Sequence, residues 1–228
     1  MTEIAVYIEG GGHSAGLQAG LRQGFDALFR EEKLKASEKK VGLRFVCCGA
    51  RDEAYKAFKN ALKVHSEQIN ALLVDSESTI DSVPEDRTRD ASIRVAHLRK
   101  KEGGGVRGQG DGWILSDDIS VRVHLMVQCM EAWIVADPDA LETFYKPTFF
   151  KKEKLPKRAN LEQESKADLY AVLEKETKDS QKGKYGKISH AGKLLVLIDP
   201  NKVAKRCPHF GIFREWLNES IDNPTAAV

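Results

Sequence analysis

The chain has 228 residues with 36 basic against 34 acidic ones, a formal charge of +2, so its overall charge gives no reason to expect a polyanionic partner, and any such case rests on local patches. Its 41% hydrophobic and 31% charged residues are too apolar for a disordered chain, and the length suffices for one full core without disulfides or a structural metal. No stretch approaches the ~20 apolar residues of a membrane span and no basic leader precedes the first apolar run, so a cytoplasmic protein is expected, neither secreted nor inserted in a membrane.

The run Ile4 to Ile8 is short and β-branched, and Glu9 and three glycines follow it. Next comes an amphipathic segment from about Ser14 to Lys35, with Ser14 as a plausible N-cap and Leu17, Leu21, Phe25, Leu28 and Phe29 on one face. That order reads as strand, tight turn, helix. A second cycle runs from a strand at Val41 to Cys48, through a turn at Gly49, to a helix from Arg51 to His65. A third strand, Ala71 to Val74, leads directly into Asp75-Ser76-Glu77. Strands alternating with helices predict a mainly parallel α/β sheet with right-handed crossovers.

From Ser78 to Asp118 the periodicity fades among charges and the glycines Gly103 to Gly105, Gly108, Gly110 and Gly112. This reads as a loop near the site, carrying His97 and Arg99. A fourth strand is expected at His124 to Gln128, continuing into a helix around Glu131 to Trp133, with Asp137-Pro138 opening another. Further helices are expected at Lys166 to Thr177, Gly192 to Ile198, Asn201 to Lys205 and Phe210 to Ser220. The expected organisation is an α/β core over 1–137 and a helical extension over 138–228 packed on it.

Three carboxylates stand where predicted parallel strands end: Glu9 after the first, Asp75 and Glu77 after the third. Ligand sites of open α/β sheets lie beyond the carboxyl ends of strands. Residues i and i+2 of an extended segment point the same way, so Asp75 and Glu77 can face one ion. Hard oxygen ligands of this kind suit Mg2+, or Mn2+ in its place. Arg51, at the end of the second strand, is placed to neutralise a phosphoryl group. Glu131, acidic within an apolar stretch, should be paired or bind something, and is a further metal-site candidate. The glycines Gly10 to Gly12 could cradle a phosphate or simply form a tight turn. Lys151, Lys152, Lys184 and Lys187 lie in basic stretches interleaved with Phe149, Phe150 and Tyr185 and adjoined by Tyr145, a composition suited to nucleic acid. Cys47, Cys48, Cys129 and Cys207 have no C-x-x-C spacing and read as reduced thiols.

A strand ending in Glu-Gly, then helix, strand, helix and a strand ending in Asp-x-Asp or a variant, resembles the Toprim domain of topoisomerases, primases and nucleases. Tyr7-Ile-Glu-Gly-Gly-Gly12, Leu21-Arg-Gln-Gly-Phe25, Leu73-Val-Asp-Ser-Glu77, His124 to Trp133 and Asp199-Pro-Asn-Lys-Val203 are similar to the uncharacterised domain family numbered 4276, itself similar to Toprim-like defence proteins of the RloB and AbiL type. The resemblance implies a Toprim-like (Rossmann-like) fold, Mg2+-dependent phosphodiester hydrolysis with Glu9 as ligand or base, and an ABC-type ATPase partner. Asp75-x-Glu77 departs from the usual Asp-x-Asp. Two other readings follow from the same site: a regulatory or nucleic-acid-binding subunit without turnover, and a phosphotransfer enzyme for a small molecule.

Overall fold

A computed structural model describes residues 2–81, 85–99 and 112–224. Four parallel strands form one sheet in the order β2-β1-β3-β4, with β1 at Glu3–Ile8, β2 at Gly42–Cys47, β3 at Ile69–Asp75 and β4 at Val123–Met126. The chain builds outward from β1 first to β2 and then to β3 on its other side. The direction of winding therefore reverses between β1 and β3, which is where open α/β sheets leave a crevice. The register brings the carboxyl ends level: Ile8 pairs with both Cys47 and Leu73.

Both faces of the sheet are covered, as near-continuous apolar strands require. Alternate residues of β1 enter different cores: Ile4, Val6 and Ile8 pack into one, Ala5 and Tyr7 into the other. On the first face lie α1 (Ala15–Leu28) and α2 (Arg30–Glu38), and on the second α3 (Arg51–Val64) and α4 (Arg87–Arg99). The remaining helices are α5 (Glu131–Val135), α6 (Pro138–Tyr145), α7 (Lys166–Thr177), α8 (Lys187–Leu195), α9 (Pro200–Arg206) and α10 (Pro208–Asp222). Residues on both sides of position 137 share the first core: Phe25, Phe29 and Phe45 pack with Trp133, Phe210 and Phe213. Among the described residues no helix is long and apolar enough to cross a membrane, and all four cysteines are free.

Three expectations are corrected. The first helix is two, broken at Phe29 (φ −105°, ψ 33°), whose ring is fully buried against Phe45, Phe210 and Phe213. Leu17 leaves the apolar face and is 39% exposed. Part of the stretch read as a loop is a helix: residues 87–99 form α4, packed through Ala91, Val95 and Leu98. Its buried face also carries Asp90 and Arg94, an internal ion pair that reads as polar surface in the sequence and erases the helical periodicity. Gly103 to Gly105, Gly108 and Gly110 lie outside the described residues.

Candidate active site

The first carboxylate is set by the end of β1. The Glu9 backbone N–H donates to Leu73 O at 3.2 Å, continuing the ladder one residue beyond the strand. Gly10 then bridges to Gly49, N–H to O in both directions at 2.8 and 2.9 Å, tying the ends of β1 and β2 together. Only glycine serves at position 49, where φ is +80° and a Cβ would lie 2.5 Å from Gly12 O. This closed turn places Arg51, the first residue of α3, over the sheet edge.

Arg51 Nη1 donates to Glu9 Oε2 at 3.0 Å and also to the Asp75 carbonyl, while its guanidinium lies 5.1 Å from the Trp113 ring centroid. Glu9 Oε2 accepts a second bond, from the Asp75 backbone N–H at 3.2 Å. One carboxylate and one guanidinium thus lock the ends of β1 and β3 across the crevice.

Asp75 is fully buried. Its Oδ1 accepts from the Met130 N–H at 3.0 Å, and its Oδ2 from Lys187 Nζ at 2.9 Å and Lys166 Nζ at 3.5 Å. Glu77 follows in a left-handed conformation, φ +66°, fixed by its N–H donating to Gln128 O at 3.1 Å. That conformation is uncommon for a residue with a Cβ and marks a position held by its surroundings. Lys166 Nζ reaches Glu77 Oε1 at 2.6 Å. Behind this turn His97 Nε2 lies 2.8 Å from Ser76 O, so His97 supports the loop from α4, whereas Arg99 points elsewhere and pairs with Asp117 at 2.8 Å.

One oxygen each from Glu9, Asp75 and Glu77 lies within 4.8 Å of the others. The three carboxylates expected from the sequence are therefore together. Glu131 stands just outside this group: its Oε1 accepts from Tyr185 OH at 2.8 Å, and its Oε2, fully buried, has no hydrogen bond and lies 3.9 Å from Lys187 Nζ. Counting Glu131, four carboxylates face three cations, Arg51, Lys166 and Lys187.

The electrostatics follow. Burial and the neighbouring Asp75 carboxylate raise the Glu9 pKa, against the pull of Arg51 and Lys187. Burial works against ionised Asp75 too, yet Lys187 and Lys166 prevail and hold it below the ordinary carboxylate range. Burial disfavours the charged form of Lys187, but Asp75 and Glu131 outweigh it and push its pKa well up. Lys187 is a fixed ammonium, and Glu9 is readier than Asp75 to hold a proton.

The basic residues separate. Lys187 belongs to this site and not to an open basic surface. Lys151 is exposed, Lys152 pairs with Asp139 and Glu142 at 2.9 and 3.0 Å, and Lys184 pairs with Glu174 at 3.0 Å. Tyr145, Phe150 and Tyr185 are buried core residues, so stacking of bases on these rings is corrected: they fill the space under the C-terminal helices. The turn Gly10 to Gly12 has positive φ at all three positions, and the helix after it is capped by Ser14 Oγ accepting from Leu17 N at 3.3 Å. Lys166 escaped the sequence reading entirely, because nothing about a lysine at a helix start says which carboxylate it will meet.

Fold and site together define a Rossmann-like α/β protein with a carboxylate cluster, buttressed by lysines, at the switch point of a parallel sheet. The chain belongs to the family described as Domain of unknown function DUF4276, which matches residues 8–218. No curated protein and no solved structure matches it.

Proposed function

We propose that the chain is a Toprim-like, Mg2+-dependent nuclease, cytoplasmic, acting on nucleic acid together with an ATPase partner in defence. The observation that carries the hydrolytic reading is the convergence of Glu9, Asp75 and Glu77 oxygens within 4.8 Å at the switch point. The donor set fits a hard divalent cation, since three carboxylates in one crevice are tolerable when a cation joins them. Glu131 stands beside the three, paired with Lys187 at 3.9 Å and accepting from Tyr185 OH. Glu9, Asp75 and Glu77 would hold the ion, which when bound polarises a phosphodiester and lowers the pKa of water.

The chain's own groups supply the rest. Glu9, where it does not itself hold the ion, has an oxygen aligned by Arg51 and can instead take a proton from an attacking water. Lys187, held protonated inside the site, and Arg51 offset negative charge building on the phosphoryl oxygens. The ATPase partner and the defence role rest on the resemblance to Toprim-like defence proteins.

A specific observation favours a second reading, a binding subunit without turnover: Lys166 and Lys187 already neutralise Asp75 and Glu77. One assay separates the two. Purified chain is incubated with plasmid, single-stranded DNA and RNA with and without Mg2+, beside Glu9→Gln and Asp75→Asn. Cleavage that needs Mg2+ and falls at least about a hundredfold in both variants supports the nuclease. Binding without cleavage supports the subunit, and turnover of small phosphate esters alone points to phosphotransfer.

A further inference from the structure

Beside the acidic centre, α1 and α8 leave a cleft of about 550 Å3 whose lining includes Glu9 and Lys187. That volume is in the range of small-ligand sites, roughly 300–1,000 Å3. Its walls combine three features. Large apolar side chains stand open to solvent there: Leu17 is 39% exposed, Ile188 62% and Val196 52%. Such exposure on adjoining elements marks a surface meant to be covered. The charged residues lining it are Lys187, Lys193 and Glu9, and the two lysines lie six residues apart on α8, about 9 Å along its axis.

The third feature is glycine where a helix pays for it. Gly16, Gly20 and Gly24 recur every fourth residue along α1, and glycine inside a helix is less stable than alanine. At Gly24 the reason is packing: a Cβ would lie 2.6 Å from Gly192 O of α8. At Gly16 and Gly20 a Cβ would meet nothing within 4 Å. These two line the cleft, and what their missing side chains leave is room.

Resting on the nuclease reading, we propose that this cleft seats one unstacked nucleotide, so that the substrate is single-stranded nucleic acid and a paired duplex is excluded. The base lies between the apolar side chains of α1 and α8, its phosphate faces Lys187 beside Glu9, and the next phosphate along the strand faces Lys193. A base held in a duplex cannot enter without leaving its stack and its partner, which disfavours the duplex as a ligand.

The test uses the full chain carrying Glu9→Gln, and reads fluorescence anisotropy of labelled DNA and RNA single strands and of the matching duplex. Gly20→Leu in the same background puts a side chain into the cleft at a position where a Cβ meets nothing within 4 Å, although the Gly20 backbone itself touches Gly192 of α8. The melting temperature reports whether that packing holds, and Gly20→Ala is the control, with a melting temperature at or above the parent's. Single strands are expected to bind at least about tenfold tighter than the duplex, and Gly20→Leu to lose at least about tenfold of that affinity while keeping its melting temperature. Equal affinity for duplex, no binding of any strand, or unchanged binding by a folded Gly20→Leu overturns the proposal. Cleavage assays with native Glu9 keep the two readings apart. If strand binding needs an open Gly20 but no strand is cut in Mg2+, the cleft stands and the nuclease falls. If duplex and single strand are cut alike, by Gly20→Leu as well, the cleft falls and the nuclease stands.

Discussion

Two of the buried charge clusters among the described residues are built differently. Under the edge strand β4, Asp90 and Arg94 of α4 meet His209 of α10 and Glu162 of a 3-10 turn at Leu161–Gln163. His209 Nδ1 lies 2.6 Å from Glu162 Oε2 and its Nε2 3.1 Å from Asp90 Oδ1, so both ring nitrogens face acceptors and the ring is an imidazolium. Arg94 also donates to His124 Nδ1 at 2.9 Å. Two acids face two cations, each at most 5% exposed. At the switch point, by contrast, four carboxylates face three cations and Glu77 is 31% exposed at its side chain. A buried carboxylate oxygen without a hydrogen bond occurs in both clusters, at Asp90 Oδ2 and at Glu131 Oε2. The closed cluster bolts α10 to the sheet, while the open one keeps capacity for something more.

The largest effect expected from breaking this contrast is on the closed side. Asp90→Asn leaves an imidazolium and a guanidinium without their shared anion, a change that costs roughly 3–5 kcal/mol. The melting temperature should fall by about 10 °C. A shift under a few degrees would mean that the cluster is not a bolt.

The next effect is pH. Burial disfavours the charged His209 ring, but its bonds to Asp90 and Glu162 outweigh this and raise its pKa to about 9. The unfolded value lies near 6.5. Its contribution to stability, on the order of 3 kcal/mol, is therefore complete below pH ~6.5 and lost as pH climbs through about 9. Denaturant titrations over that interval should show the decline in the native chain and a flat profile in His209→Gln. Parallel profiles would refute the assignment.

The smallest effect sharpens the open side. Lys166 Nζ occupies oxygens of Asp75 and Glu77 that a divalent cation would need. Lys166→Met should raise Mg2+ affinity about tenfold, close to 1.4 kcal/mol, measured by calorimetry. Unchanged affinity would show that ammonium and metal do not compete for these oxygens.

What the sequence disclosed is what local pattern encodes. Four strands and nearly every helix follow from apolar periodicity, and Glu9, Asp75 and Glu77 from the rule that strand ends carry sites. Arg51 was legible because a turn glycine fixes the residue two places on. Lys187 stands out in the sequence only as one of several basic residues suited to nucleic acid, and Lys166 not as a site residue at all, since the carboxylates they meet come from remote parts of the chain. Asp90 and Arg94 misled because a buried ion pair imitates a solvated surface. Tyr145, Phe150 and Tyr185 misled in the opposite direction: aromatic rings among lysines suggested a platform, while burial decided for the core.

Lys166 and Lys187 stand 91 and 112 residues beyond Asp75, the carboxylate they both contact. A ribosome adding about 5–20 residues per second completes the acidic strands several seconds before it supplies either lysine. Until α7 and α8 have been made, the acidic strand ends therefore lack both ammonium groups that pair with Asp75 and Glu77 in the folded chain.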